Sequence, residues 1–305
     1  MGFYEEIASN KRRTYFLIFI FILLIIAVAA VFGYFYGGAD YGIIYSIMIG
    51  IFAFTLSLIL SLISYYHGDK IALKISRARP LKKDEFPYYW HIVEALSIGA
   101  GIPKPNPYVI EDDNINAFAT GRGPEHSSIA VTTGALRKLD RQELEGVIAH
   151  ELSHIKNYDI RVMMISAVLV GVVVMLSDFF IRSLWFGGGG DREKGGGLQV
   201  ILLLIGIVLA ILAPLFAQLI KLAISRKREY LADASGAHLT RYPKGLADAL
   251  KKIKEDTKVM QKRPVFANKS TAHMFIANPF KKGLWANLLS THPPIEERIS
   301  RLEVM

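Results

Sequence analysis

The sequence contains no cysteine. That excludes disulfides and thiolate-ligated metals, so any metal on this chain must be held by His, Asp or Glu. The absence carries no message about compartment. Charge is also scarce. Asp, Glu, Lys and Arg make up 21% of the 305 residues, against 52% for apolar residues. Such a balance is too apolar for an ordinary soluble chain unless the apolar residues are bunched, and they are. Acidic residues are the minority charge, 27 against 36 basic ones, for a net +9. A basic excess suits nucleic acid or a membrane surface. The apolar runs decide for the lipid bilayer, and no nucleic-acid partner is expected. There are no internal repeats, and low complexity is confined to one glycine-rich stretch.

Four apolar runs approach the roughly 20 helical residues that cross a bilayer. The first two, 14–36 and 43–66, have no internal charge, and the short GGADYG between them predicts a hairpin. The first is no cleavable signal peptide, because its apolar core is too long and a second span follows at once. The third, 162–181, contains Asp178, and a buried core helix is its alternative reading. The fourth, 198–220, is interrupted only by Pro214, which a membrane helix tolerates as a kink. GGGGDREKGGG joins the last two as a flexible connector.

Basic flanks set the orientation. Lys11, Arg12 and Arg13 precede the first run, a cluster from Lys70 to Lys83 follows the second, and Arg226, Lys227 and Arg228 follow the fourth. Both termini and all large polar segments are therefore expected on the cytoplasmic side of the cell membrane. The divisions are 1–66 as one membrane hairpin, 67–159 as the first part of a cytoplasmic domain, 160–224 as a second hairpin, and 225–305 as the rest of that domain. Within the domain, 86–102 reads as a helix ending at glycine. PYVIEDD, NAFATG and SSIAVTTGAL read as short strands. Residues 141–159 read as a helix, with Asp140 and Glu143 spaced as a capping box, and a further helix covers about 221–239. The fold class is thus mainly α: four transmembrane helices plus an α+β domain with a small sheet.

The chemistry concentrates in GVIAHELSHIKNYD, 146–159. His150 and His154 lie four apart, on one face of the helix, where two imidazoles can converge on one Zn²⁺. Glu151, rotated about 100° from His150, sits beside the metal, able to take a proton from an activated water. The plain alternative is an exposed helix with two solvated histidines. Against it stand Val147, Ile148, Leu152 and Ile155, which make the rest of that helix apolar. A catalytic zinc takes three protein ligands and leaves one position open. Glu229, in SRKREYLADASGA, is the best third candidate, with Asp233 one turn on to accept a hydrogen bond from a ligand histidine. A solvated face paired with nearby arginines explains those two acids equally well. His67, His91, His126, His238 and His273 read as structural or solvated. If the helix runs on past His154, the metal lies about 12 Å from the third run, at the membrane surface rather than inside it. Lys156, Asp159 and Arg161 crowd the motif, which also argues against an intramembrane site.

HELSHIKNYD, EYLADASGA, THPPIEERI (291–299) and NAFATG (116–121) together resemble the HtpX family of membrane-bound zinc metalloproteases, relatives of the CAAX prenyl proteases. The resemblance covers essentially the whole chain, with two spans before the zinc helix and two after. It implies a zincin-like endopeptidase with one Zn²⁺ per chain, acting on misfolded or damaged membrane proteins and unfolded polypeptides, as in stress-response quality control. It implies His150, His154 and Glu229 as metal ligands, Asp233 as a ligand's partner, and Glu151 as the catalytic base. It further implies His292 and Arg298 near the cleft, assisting the transition state. Asn116, Ala117 and Phe118 would then begin an edge strand that pairs with substrate backbone. A prenyl-peptide-processing protease and a non-catalytic membrane scaffold are the rival readings. Homo-oligomerisation stays open.

Overall fold

The computed structural model describes residues 3–186, 226–259 and 293–305, with the isolated positions 204, 207, 208 and 276. The first helix, α1, covers Phe3–Ile75 and is bent back on itself at Gly38, whose φ of 65° and ψ of −160° leave the helical region. Only glycine adopts that conformation readily. The arms run antiparallel, with Ser46 Oγ donating to Ala30 O across them at 2.8 Å. Ala8–Tyr34 and Gly37–Ile75 are each long and apolar enough to cross a membrane. Phe19, Val31, Ile43, Ile47 and Ile51 stand exposed on them, as side chains facing lipid would. The expected hairpin of runs 14–36 and 43–66 is present as these two arms. The third expected span falls on a 28-residue helix, α5 (Asp159–Phe186). The fourth, 198–220, lies outside the described residues apart from the three isolated positions.

Past Tyr66 the second arm continues into the polar domain, where Ala72 and Leu73 enter a core beneath a sheet. The sheet has four strands, β1 (Arg79–Pro80), β2 (Asn106–Ile110), β3 (Ala117–Gly123) and β4 (His126–Thr132), in the order β1-β2-β4-β3. β2 and β4 are parallel, and the other two pairings are antiparallel. β1 has only two residues and gives no sequence signal of its own. β3 is an edge strand. Strand alternation sends Ala117 and Ala119 to one face and Phe118 to the other. Phe118, Ile110 and Ala130 pack against the membrane-side helices through Met163, Met164 and Leu73. The opposite face meets α2 (Pro87–Ala100) and α4 (Arg141–Lys156), with Tyr89, Val93, Leu144 and Ile148 fully buried there. A short α3 (Thr133–Lys138) links β4 to α4. Three further helices close over α4: α6 (Arg226–Thr240), α7 (Pro243–Val259) and α8 (Ile295–Glu303).

α4 does not run on into the third span. It stops at Lys156, and Tyr158 takes a φ of 61° before α5 begins at Asp159. The continuous helix considered from sequence is replaced by a bend of two residues, which turns Asp159 back toward His154.

Candidate metal centre

α4 starts at a complete capping box. Asp140 Oδ1 accepts from Glu143 N at 2.9 Å, and Glu143 Oε2 accepts from Asp140 N at 2.7 Å. This fixes the helix start and hence the phase of everything after it. From Gly146 to Ile155 every residue is buried. The exposed-helix alternative is therefore excluded by packing.

His150 Nε2 and His154 Nε2 lie 3.2 Å apart. Glu229 on α6 brings Oε2 to 3.8 Å from His150 Nε2 and Oε1 to 3.7 Å from His154 Nε2. One ligand atom from each of the three lies within 4.8 Å of the others, and all three residues are buried. A tetrahedral zinc with bonds of about 2.0–2.1 Å sets its ligand atoms about 3.3 Å apart. The histidine pair matches that edge, and the carboxylate sits slightly wide of it. Two imidazoles and one carboxylate form the three-ligand set of a catalytic rather than a closed structural site. Among the described residues this is the only such cluster.

The two histidines are aimed by carboxylates behind them. His150 Nδ1–H donates to Asp233 Oδ1 at 2.9 Å, and His154 Nδ1–H donates to Asp159 Oδ2 at 3.1 Å. Each bond fixes the tautomer and turns Nε2 toward the centre. Asp233 is in turn clamped by Arg298 of α8, through Nε to Oδ2 (2.9 Å) and Nη2 to Oδ1 (2.7 Å). Arg298 is 1% exposed, and its Nη1 lies 3.9 Å from Glu229 Oε2. α6 can lie this close to α4 because residue 236 is glycine. A Cβ there would sit 3.0 Å from His150 N.

The electrostatics of His150 and His154 diverge. Burial pushes His150 down to about 4, outweighing the hydrogen bond and charge of Asp233, with Arg298 and His154 adding smaller repulsions in the same direction as burial. Burial opposes the charge of His154 too, but the Asp159 hydrogen bond and the Glu229, Asp159 and Glu151 carboxylates overcome it and raise it to about 9. Burial also works against Asp233, yet Arg298 and His150 hold its carboxyl down at about 2.

The structure brings His150, Glu151, His154, Glu229 and Asp233 together. His150, Glu151 and His154 share α4, with Glu151 buried beside the ligands. Glu229 and Asp233 share one face of α6. Ala117 and Phe118 open the edge strand β3, with Asn116 directly before it, and Ala117 O accepts from Ile276 N at 3.1 Å. His292 and His273 lie outside the described residues. Two residues of the centre escaped the sequence reading. Asp159 was only a charge crowding the motif. Arg228 was counted as a basic membrane flank, yet it is buried, and its Nη1 donates to Asp159 Oδ1 at 2.6 Å. An unbroken helix would carry Asp159 about 140° around from His154. The bend at Tyr158 makes the contact, and no spacing rule signals it.

A helix carrying His-Glu-x-x-His, a glutamate from a second helix and an edge strand alongside define a metallopeptidase attached to a membrane hairpin. Residues 83–305 match Peptidase family M48, and the chain belongs to that family. It is 47% identical over 304 residues to the Protease HtpX homolog of Dictyoglomus thermophilum, covering 99% of this chain and 95% of the relative. The Protease HtpX homolog of Caldanaerobacter subterraneus subsp. tengcongensis is 47% identical over 302 residues, 98% of this chain and 97% of the relative. That of Ligilactobacillus salivarius is 42% identical over 305 residues, 99% of each chain. A looser likeness joins it to the crystal structure of S. mikatae Ste24p, with 20% identity and a TM-score of 0.48, over 90% of this chain and 61% of that one. The chain is a membrane metalloprotease.

Proposed function

We propose that the chain is a zinc-dependent endopeptidase that cleaves misfolded or damaged membrane proteins at the cytoplasmic face of the cell membrane. The observation that carries this is the convergence of His150, His154 and Glu229, with each imidazole aimed from behind by a carboxylate. We assign those three as the ligands of one Zn²⁺. When bound, zinc supplies Lewis acidity, which acidifies water and polarises a peptide carbonyl.

The remaining roles belong to the chain's own side chains. Glu151 takes a proton from the attacking water at its carboxylate and passes it to the leaving amine. Asp233 and Asp159 hold the ligand imidazoles in one tautomer. Arg298 keeps Asp233 ionised, and through Nη1 it adds positive charge beside the developing oxyanion. His292 is assigned to the same task. β3 offers Asn116–Phe118 for main-chain pairing with an extended substrate, which positions peptides with little sequence preference. A substrate pairing at Ala117 must displace the Ile276 N–H that now occupies its carbonyl. Asn10, at the outer end of the first arm, touches Asp159 at the start of α5. The metal centre and the amino-terminal end of the hairpin thus share one side of the membrane. We assign that side as cytoplasmic from the basic flanks, and propose four spans in all with a protease domain assembled from 67–159 and 225–305.

The test uses protein purified in detergent under chelator. Zinc is then added, and casein and the chain itself are followed on a gel. Wild type should cut both. Glu151→Gln should bind zinc equally and lose about 10²–10⁴-fold in rate. Undiminished cleavage by zinc-loaded Glu151→Gln would sink the assignment.

A further inference from the structure

Asn10 sits just outside the first apolar run and is 1% exposed. Its carboxamide nitrogen donates to Asn157 O at 2.7 Å and to Asp159 Oδ1 at 2.8 Å. Two acceptors on one nitrogen fix the amide's orientation, since a flipped group would set oxygen against both. Asp159 is therefore a divided carboxylate. Its Oδ1 receives Asn10 and Arg228 Nη1, which leaves Oδ2 facing His154 Nδ1. The four side chains are all buried. Asn157 and Asp159 flank the Tyr158 bend, so Asn10 grips the bend on both sides. A second contact from the same arm lands between them. Lys11 Nζ lies 4.9 Å from the centre of the Tyr158 ring. One turn further, Thr14 is buried and, among the described residues, its hydroxyl bonds its own helix at Asn10 O.

We infer that Asn10 is a positioning residue of the metal centre, so that the first membrane arm sets the aim of His154 through Asp159. The inference rests on His154 being a metal ligand. A carboxylate free to turn would hold the imidazole loosely, and lost outer partners of ligand histidines weaken metal binding about 10–100-fold. The arm is thus a working part of the site, in addition to being an anchor. Any displacement of α1 against α5 loosens one ligand of three.

The experiment uses the full chain in detergent, stripped of metal, with Zn²⁺ as the probe. Affinity is measured by competition with a chromogenic chelator, and melting of the metal-free protein is measured separately. Asn10→Leu keeps the size and removes the donor. It is expected to weaken Zn²⁺ binding by about tenfold or more, with Asp159→Asn at least as damaging. Thr14→Val, on the same buried face but without a link to Asp159, should bind as wild type. If Asn10→Leu lowers only the melting temperature and binds Zn²⁺ as tightly as wild type, Asn10 is packing and the inference is overturned. His154→Ala separates the two levels. If it too binds Zn²⁺ normally, the metal-centre reading itself falls, and the inference with it. Should Asn10→Leu not accumulate, Asn10→Ala leaves room for water at the two acceptors and is judged by the same affinity.

Discussion

His150 and His154 are the same residue type, one turn apart, and the fold gives them opposite charge preferences. Burial, with Arg298 nearby, keeps His150 neutral down to about pH 4, whereas His154, hydrogen-bonded to Asp159 among three carboxylates, holds its proton up to about pH 9 despite burial. A metal needs both neutral, so at pH 7 binding must expel one proton, and that proton comes from His154. The sign follows directly. Apparent Zn²⁺ affinity should rise about tenfold per pH unit between pH 6 and 9 and then level off, as titration calorimetry in buffers of different ionisation enthalpy would measure. Arg298 offers a second test at this scale. It is the buried partner of a buried carboxylate held at about 2. Arg298→Met leaves that charge uncompensated and should cost about 3–5 kcal/mol in denaturant unfolding. Arg298→Lys should recover only part, because one ammonium cannot reproduce the paired bonds. His150, Glu151 and His154 could be singled out at this scale because metal chemistry calls for those residue types at that spacing. Asp159 and Arg228 could not, since both belong to contacts made by a chain reversal.

At the scale of elements, α4 and α6 form the metal centre between them, and their separation decides its dimensions. The approach is tightest where Gly236 meets the backbone of His150. Gly236→Val would push α6 outward, carrying Glu229 and Asp233 away together. The expected result is a stability loss of about 1–3 kcal/mol from overpacking, together with weaker Zn²⁺ binding in the chelator competition. Retained affinity would mean that α6 can slide without opening the site. The capping box, the three main strands and the central helices were legible from period and turn chemistry. The Tyr158 bend and the two-residue β1 were not, because each is imposed by neighbours rather than by local preference.

For the whole molecule, the sheet is covered on one side by α2 and α4 and on the other by the membrane-side helices. Phe118 and Ile110 pack in the same cluster as Phe21, Leu73 and Met164. Domain and hairpin therefore share a core. A chain lacking residues 1–38 loses Phe21, Leu17 and Asn10 together. It should express poorly, aggregate on size exclusion in detergent, and bind Zn²⁺ more weakly than the full chain. A monodisperse truncated protein with full affinity would show that the arm is dispensable.

The sequence by itself determined the class of chemistry and the paired apolar arms, and its motifs carried the resemblance to the family. The first two follow from composition, helical spacing and hydropathy, all local properties of a chain, and the third from matching motifs. Only the tertiary structure decided which carboxylate aims which histidine, that Arg298 is buried behind Asp233, and that the first membrane arm reaches the metal centre. The physical reason is distance along the chain. Asn10 and Asp159 are 149 residues apart, and no periodic pattern can encode a hydrogen bond that exists only after α1, α4 and α5 have packed.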